Sequence, residues 1–227
     1  MKIKSISILI PVLNEVATIL KVIGSVKACN FGIKKEIIVI DNGSTDGTQE
    51  LIKQLSEIKL LKQPFWGRAA SLHLGIKNVS GNIIGFQDAD LEIHPNNLTK
   101  MLKIMSEGEY QVVYGSRFAE RHCPKNAGYF ANKLLTFLAN MVYGLSLSDV
   151  QTGCILINAN LLKALSMKSK KWDFSIELAS KLRKIKKLKI TEVPVSYYPR
   201  SHKGGKKLSY FEGFRAIFHI FYYRFFL

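Results

Sequence analysis

Acidic residues are scarce in this chain of 227 residues: 17 Asp and Glu stand against 33 Lys and Arg, a formal net charge of +16. A field of that sign favours anionic partners, namely nucleic acid, acidic lipid headgroups or phosphorylated substrates. Cysteine is equally scarce. Cys29, Cys123 and Cys154 are odd in number and far apart, which excludes a disulfide framework or a paired zinc spacing and points to a reducing compartment. No apolar run reaches the ~20 residues of a spanning helix. The nearest, from Leu134 to Ser148, is interrupted by Thr136, Asn140, Gly144 and two serines, so a soluble or peripheral protein is expected. The start, MKIKSISILIPVL, carries basic and apolar parts but lacks a small-residue cleavage site before Asn14 and Glu15, and reads as a first strand rather than a leader. No linker, repeat or low-complexity segment divides the chain.

What is present is a folded composition, 47% hydrophobic and 22% charged. The first half alternates between strand and helix patterns. Strands are expected at Ile6 to Val12, Glu36 to Ile40, Ile58 to Leu61 and Ile83 to Phe86. Helices are expected at Glu15 to Val26, around Leu51 to Leu55, at Ala69 to Val79 and from Asn97, with Asp46 or Ser44 capping the second. The runs SILI, EIIVI and NIIGF are nearly continuous in apolar residues, as strands covered on both faces are. The fold class is therefore α/β, a mostly parallel sheet between helical layers. The second half is less regular, with one clear strand pattern at Glu192 to Tyr198.

Three of these strands end in polar clusters: PVLNE, DNGSTDGT and QDADLE. Ligands of open α/β sheets bind beyond the carboxyl ends of the strands. In an extended segment Asp88 and Asp90 face the same way, with Glu92 continuing the alternation, so their carboxylates can share one cation. Magnesium and manganese take such oxygen ligands and bridge them to phosphates. A solvated turn with a helix cap explains an isolated D-x-D as well; two further acidic strand ends tip the balance toward a metal and phosphate site. Asp41 suits a base or ribose, whereas Ser44 and Asp46 suit turn and cap roles. Glu15 has a plainer reading as a first-turn carboxylate.

The ordered set PVLNE, DNGSTDGT, DADLEIHP, GSR (Gly115 to Arg117), SDVQTGC (Ser148 to Cys154) and EVPVSYYPR (Glu192 to Arg200) resembles the family 2 glycosyltransferases, and among them the dolichyl- or polyprenyl-phosphate sugar synthases. The resemblance covers Ile6 to about Leu208. It implies a GT-A fold, a Rossmann-like three-layer sandwich, and a nucleotide-diphosphate sugar donor with a magnesium or manganese ion. By the same resemblance, Pro11, Leu13, Glu15, Asp41, Asn42 and Asp88 bind the nucleotide sugar, and Asp88, Asp90 and Glu92 surround the metal. Asp90, Arg117 and Arg200 are the implied catalytic residues, and Arg117, Arg200, Lys206 and Lys207 meet the acceptor phosphate. The family often has Gln where Glu92 stands, and its usual Gly-Lys-Ser-Lys is here the looser GGKKLS.

A lipid phosphate is ionised at neutral pH and attacks without a general base, whereas a hydroxyl acceptor needs a positioned carboxylate. The Thr-Glu-Asp and Gln-x-x-Arg-Trp patterns of hydroxyl-glycosylating members are missing, which favours the phosphate. Tyr129 to Leu145 carries an apolar stripe of Phe130, Leu134, Phe137, Leu138, Met141 and Leu145 that suits either a core or a membrane surface. The tail FRAIFHIFYYRFFL is aromatic and basic, too short to span, and suits an interface. From Lys163 to Lys207 fourteen Lys and Arg outnumber three acids, which adds attraction to an anionic bilayer. The sequence thus supports an inverting transferase from residues 1–208 with an interfacial tail at 209–227, acting at the cytoplasmic face of a membrane without nucleic acid. Transfer to a glycan hydroxyl, a sugar nucleotidyltransferase, and a non-catalytic basic adaptor are the rivals. The nucleotidyltransferase needs a Gly-rich loop after the first strand, and PVLNEVAT has no glycine.

Overall fold

A computed structural model describes residues 2–63, 67–120, 123–200 and 210–226. Along the chain run β1 (Ser5–Val12), α1 (Ile19–Ala28), β2 (Lys34–Asp41), α2 (Thr48–Lys53), β3 (Lys59–Lys62), α3 (Arg68–Lys77), β4 (Ile83–Phe86) and α4 (Asn96–Glu107). They are followed by β5 (Val112–Ser116), α5 (Ala127–Tyr143), β6 (Ile155–Asn158), α6 (Ala159–Ala164), α7 (Phe174–Leu182), β7 (Ile190–Pro194) and α8 (Tyr210–Phe225). The strands form one seven-stranded sheet in the order β3-β2-β1-β4-β6-β5-β7. All pairings are parallel except those of β6, which runs antiparallel to both β4 and β5.

The continuous apolar runs are explained by which side of the sheet each residue faces. Leu9, Ile38, Ile40, Ile84, Phe86, Val112, Tyr114, Ile155 and Ile157 enter one core with α3, α5, α6, α7 and α8. Their neighbours Ile6, Ile8, Ile10, Ile37, Val39, Ile83, Val113 and Leu156 enter a second core under α1 and α4. Alternate side chains leave opposite faces of a strand, so a sheet buried on both sides needs an apolar residue at nearly every position. Burying a large aliphatic side chain contributes ~1.5–3 kcal/mol, which fixes the register of the central strands.

The loops after β1 and β2 are fastened together. The Asn14 amide donates to Ser44 Oγ at 3.0 Å, the Thr45 amide to Asn14 Oδ1 at 2.8 Å, and the Val16 amide to Asp46 Oδ2 at 3.0 Å. Of the two expected caps, only Asp46 meets the helix. The residue before α2 is Gly47; Asp46 Oδ1 still accepts the amide of Thr48, the first residue of the helix, at 3.1 Å, whereas Ser44 ties the two loops and does not cap.

The structure adds detail to two other expectations. The apolar stripe of α5 is divided: Leu138 and Leu145 pack against the core beside the buried Leu135, Thr136, Ala139 and Tyr143, while Phe130, Leu134, Phe137 and Met141 stand exposed. In the tail, α8 packs on α5 and α7 through Ala216, Ile220 and Tyr223. Tyr143 Oη donates to the Ile220 carbonyl at 2.9 Å, Ser180 Oγ to the Tyr223 carbonyl at 2.9 Å, and the Tyr223 hydroxyl to Asp173. Phe214, Phe218, Phe221, Tyr222, Phe225 and Phe226 remain on the outer side.

Candidate active site

Every described site residue expected from the sequence lies at or just beyond the carboxyl end of a strand. Pro11 is the last residue but one of β1, and Leu13 and Glu15 follow the strand; Asp41 closes β2 and is followed by Asn42. Asp88, Asp90 and Glu92 follow β4, Arg117 follows β5, and Arg200 follows β7. Lys206 and Lys207 lie outside the described residues. The sheet order sets β4 beside β1, so the acidic loop stands between the β1/β2 loops and the β5/β7 side.

Asp88 and Asp90 converge through a turn, not through strand alternation. β4 stops at Phe86, Ala89 and Asp90 form a turn, and Leu91 takes a left-handed backbone with φ of 61°. The Glu92 amide donates to Asp90 Oδ1 at 3.1 Å and pins the turn. One cleft is lined by Gln87, Asp88, Asp90, Glu92, Arg117 and Tyr197, with Gly153 in its wall. A Cβ at position 153 would overlap Asp88 Oδ2, so only glycine lets that carboxylate sit there.

Three arginines face these acids. Arg68 donates to Asp88 Oδ1 from Nε at 3.0 Å and from Nη2 at 2.7 Å. Arg117 holds the fully buried Asp149 with Nε at 2.7 Å and Nη2 at 2.9 Å, and its amide adds a third bond at 3.1 Å. Its guanidinium lies between the Phe118 and Tyr197 rings, 5.2 and 5.4 Å from their centroids. Arg200 bridges Glu15 and Asp90, and its amide donates to Glu92 Oε1 at 2.9 Å. Burial, then the neighbouring Asp88 and Glu92, push the Asp90 carboxyl up to about 7. Burial and then Glu92 push the Tyr197 hydroxyl up to about 12, so it stays a donor.

On the β2 side the Asp41 carboxylate is buried and organises its own loop. Its Oδ1 accepts the Ser44 amide at 3.1 Å and its Oδ2 accepts Gln49 Nε2 at 2.7 Å. Asn42 Oδ1 is buried and, among the described residues, has no hydrogen-bond partner. Buried polar atoms are normally satisfied, so this one is suited to a ligand donor.

Among the described residues no three His, Cys, Asp or Glu side chains come together to hold an ion. Asp88, Asp90 and Glu92 therefore share the cleft without forming one ligand set: Glu92 is turned to the Arg200 amide and Asp88 Oδ1 to Arg68. Asp88 Oδ2 and Asp90 still fit magnesium or manganese, which commonly use one or two carboxylates and complete their shell with phosphate and water. The raised Asp90 carboxyl marks a concentration of negative charge suited to a cation.

Motif reading missed Arg68, Asp149, Gly153 and Glu192 as site-supporting residues. Glu192 anchors the loop that carries Asp149, accepting the Ser148 and Asp149 amides at 2.7 and 3.2 Å. Asp149 and Gly153 lay inside SDVQTGC, where an acid and a glycine beside a strand were available signals. Arg68 has no comparable local signature, since its partner is 20 residues away.

The profile of the family described as "Glycosyl transferase family 2" matches residues 7–166, which include the loops after β1, β2, β4 and β5. This chain belongs to glycosyl transferase family 2. It is 27% identical over 219 residues to a low-salt glycan biosynthesis hexosyltransferase of Haloferax volcanii, covering 94% of this chain and 52% of that protein. It is 25% identical over 217 residues to the undecaprenyl-phosphate 4-deoxy-4-formamido-L-arabinose transferase of Edwardsiella ictaluri, covering 90% of this chain and 63% of the relative. The chain thus spans between half and two thirds of the length of these curated relatives. Among solved structures, glucosyl-3-phosphoglycerate synthase from Mycobacterium tuberculosis, in complex with Mn2+, UDP and phosphoglyceric acid, superposes with a TM-score of 0.75. That match is at 22% identity and covers 97% of this chain and 78% of the synthase. The sandwich with its seven-stranded, mostly parallel sheet is the GT-A fold that the motifs implied.

Proposed function

We propose that this family 2 chain transfers a sugar from a nucleoside-diphosphate donor to a polyprenyl phosphate, with inversion at the anomeric carbon. The observation that carries the reading is the single cleft in which Asp88, Asp90 and Glu92 stand opposite Arg117, with Arg200 joined to its acidic rim. Pro11, Leu13, Glu15, Asp41, Asn42 and Asp88 form the nucleotide side, where the orphaned Asn42 Oδ1 awaits a donor and Asp41 shapes the loop. Asp88 and Asp90 would hold the divalent cation, Mg2+ or Mn2+. That ion supplies charge neutralisation at the donor diphosphate.

The acceptor side is basic and rigid. Arg117 is fixed by Asp149 and two rings, so its positive charge is preorganised before any phosphate arrives. Arg200, with Lys206 and Lys207, completes the acceptor phosphate site. A phosphate oxygen of the lipid forms the new bond to the anomeric carbon as the bond to the diphosphate oxygen breaks, and the electron pair leaves with the nucleoside diphosphate. The ionised phosphate needs no base, which matches a cleft whose carboxylates are committed to arginines and metal.

A membrane surface supplies such an acceptor. The exposed Phe130, Leu134, Phe137 and Met141 of α5 lie on a helix that packs against α8, which exposes Phe214, Phe218, Phe221 and Phe225. With the net charge of +16, this double aromatic face suits peripheral docking on an anionic cytoplasmic leaflet. Residues 1–208 act as the catalytic unit, and the tail 209–227, through α8, presents the interfacial face. Among the described residues no helix is long and apolar enough to cross a membrane. Equilibrium dialysis of UDP and GDP tests the donor side: binding that needs Mn2+ and is lost in Asp90→Asn supports it, and metal-independent binding unaffected by that change contradicts it.

A further inference from the structure

Arg68 and Arg117 each hold one carboxylate through two guanidinium nitrogens, whereas Arg200 is divided between two. Its Nη1 donates to Glu15 Oε2 at 2.9 Å, and its Nη2 reaches Glu15 Oε1 at 3.1 Å and Asp90 Oδ2 at 3.4 Å. Glu15 follows β1 and Asp90 follows β4, so one side chain carries the positive charge for acids from two separate loops. Glu92 adds a third carboxylate through the Arg200 amide, and Asp88, the remaining acid of the cleft, is served by Arg68. The Arg200 Nε is buried and, among the described residues, has no hydrogen-bond partner. A guanidinium in its final seat uses that N–H, because an unmade bond on a buried donor is costly.

We propose that Arg200 is the resident counter-ion of the acidic cleft, released from Asp90 when a divalent cation enters and then available to the acceptor phosphate. The inference rests on the reading of the cleft as a metal and phosphate site. Two cations cannot both sit against Asp90 without repelling each other, and at these distances in a partly buried site that repulsion is weakly screened. Linkage makes the effect mutual: Arg200 weakens metal binding by the factor by which metal weakens the Arg200–Asp90 contact. The consequence is an order of events. Donor and metal free the guanidinium, whose unused Nε edge then meets the lipid phosphate, so the acceptor site is completed after the donor is in place.

The test is a titration of Mn2+ into nucleotide-free protein, with free Mn2+ read by electron paramagnetic resonance. Arg200→Gln removes the charge and is expected to bind Mn2+ about tenfold or more tightly than the parent chain, whereas Arg200→Lys keeps the charge and stays within about threefold. A glutamine variant that binds no more tightly, or absence of Mn2+ binding in all three proteins, overturns the proposal. A second measurement uses the unsubstituted chain, so that it does not depend on a variant folding. Phenylglyoxal labelling of Arg200, read by peptide mass spectrometry, should increase several-fold when Mn2+ and UDP or GDP are added; unchanged labelling overturns the release. Because the titration contains neither sugar nor lipid, failure of transfer to lipid phosphate leaves its outcome decisive, and an unaltered Mn2+ affinity leaves the transfer reading standing.

Discussion

Arg117 grips Asp149 through both carboxylate oxygens and its own backbone amide, so the positive charge beside the cleft is held by the protein before any ligand arrives. The pair joins the end of β5 to the loop before β6, and Asp149 is completely shielded from solvent. Removing one partner of a buried pair leaves the other uncompensated, at a cost of about 3–5 kcal/mol. Asp149→Ala is therefore expected to lower unfolding stability by that amount in a urea titration. It should also impair transfer beyond the fraction unfolded, since Arg117 loses its anchor. A loss below about 1 kcal/mol would contradict a structural role for the pair.

Gly153 offers a sharper substitution, because it alters the site without adding or removing charge. A methyl group there overlaps Asp88 Oδ2 and approaches Arg68 Nη2 to 3.2 Å. Gly153→Ala should displace the Asp88 carboxylate and cost about 10²-fold in turnover, the scale of a 1 Å misplacement at a reacting centre. Circular dichroism should remain that of the parent. Full activity would show that the Asp88 position is not critical.

Asp90 makes stability depend on pH. Its carboxyl is raised from 3.8 to about 7, chiefly by burial and then by Asp88 and Glu92. The folded chain thus keeps a proton that the unfolded chain has already released, so this contribution is full below the unfolded value and is lost as pH rises through about 7. In the presence of a chelator, melting temperature should fall between pH 5 and pH 8, and Asp90→Asn should flatten that fall. Equal slopes in the two proteins would remove Asp90 as the cause.

The two faces of α8 predict separate effects. Tyr223 is turned to Asp173, whereas Phe218 and Phe225 are exposed. Tyr223→Phe removes a buried hydrogen bond to a carboxylate and should destabilise the chain by about 1–3 kcal/mol without altering sedimentation with anionic liposomes. Phe218→Ser with Phe225→Ser should do the reverse, weakening liposome binding with little change in melting temperature. High salt should weaken binding in either background, because exposed charges are screened.

The fold was legible in the sequence where burial on both sides of the sheet wrote itself into continuous apolar runs, as in SILI, EIIVI and NIIGF. It was harder to read after Glu107, where β5 and β6 are short and β6 reverses direction between β4 and β5. The acidic strand ends were visible because their carboxylates break apolar runs at the carboxyl edge of the sheet. Their arginine partners were only half visible. Arg117 and Arg200 lay in motifs, but Arg68 meets Asp88 through the packing of α3, and nothing local announces that contact. Periodicity showed the stripe of α5 but not which way it faces, for a related reason. Leu135 and Ala139 make as good a core face as Leu134 and Phe137, and only the neighbouring helices decide between them.

The identity of the acceptor is the most direct point of test. Anionic vesicles holding a polyprenyl phosphate, or the matching polyprenol, are incubated with the chain, Mn2+ and a panel of UDP- and GDP-sugars, and the lipid extract is read by mass spectrometry. The account predicts a one-sugar mass increase on the polyprenyl phosphate alone, lost on chelation and in Asp90→Asn. Transfer to the polyprenol or to a soluble glycan hydroxyl, with the lipid phosphate left unmodified, would contradict it.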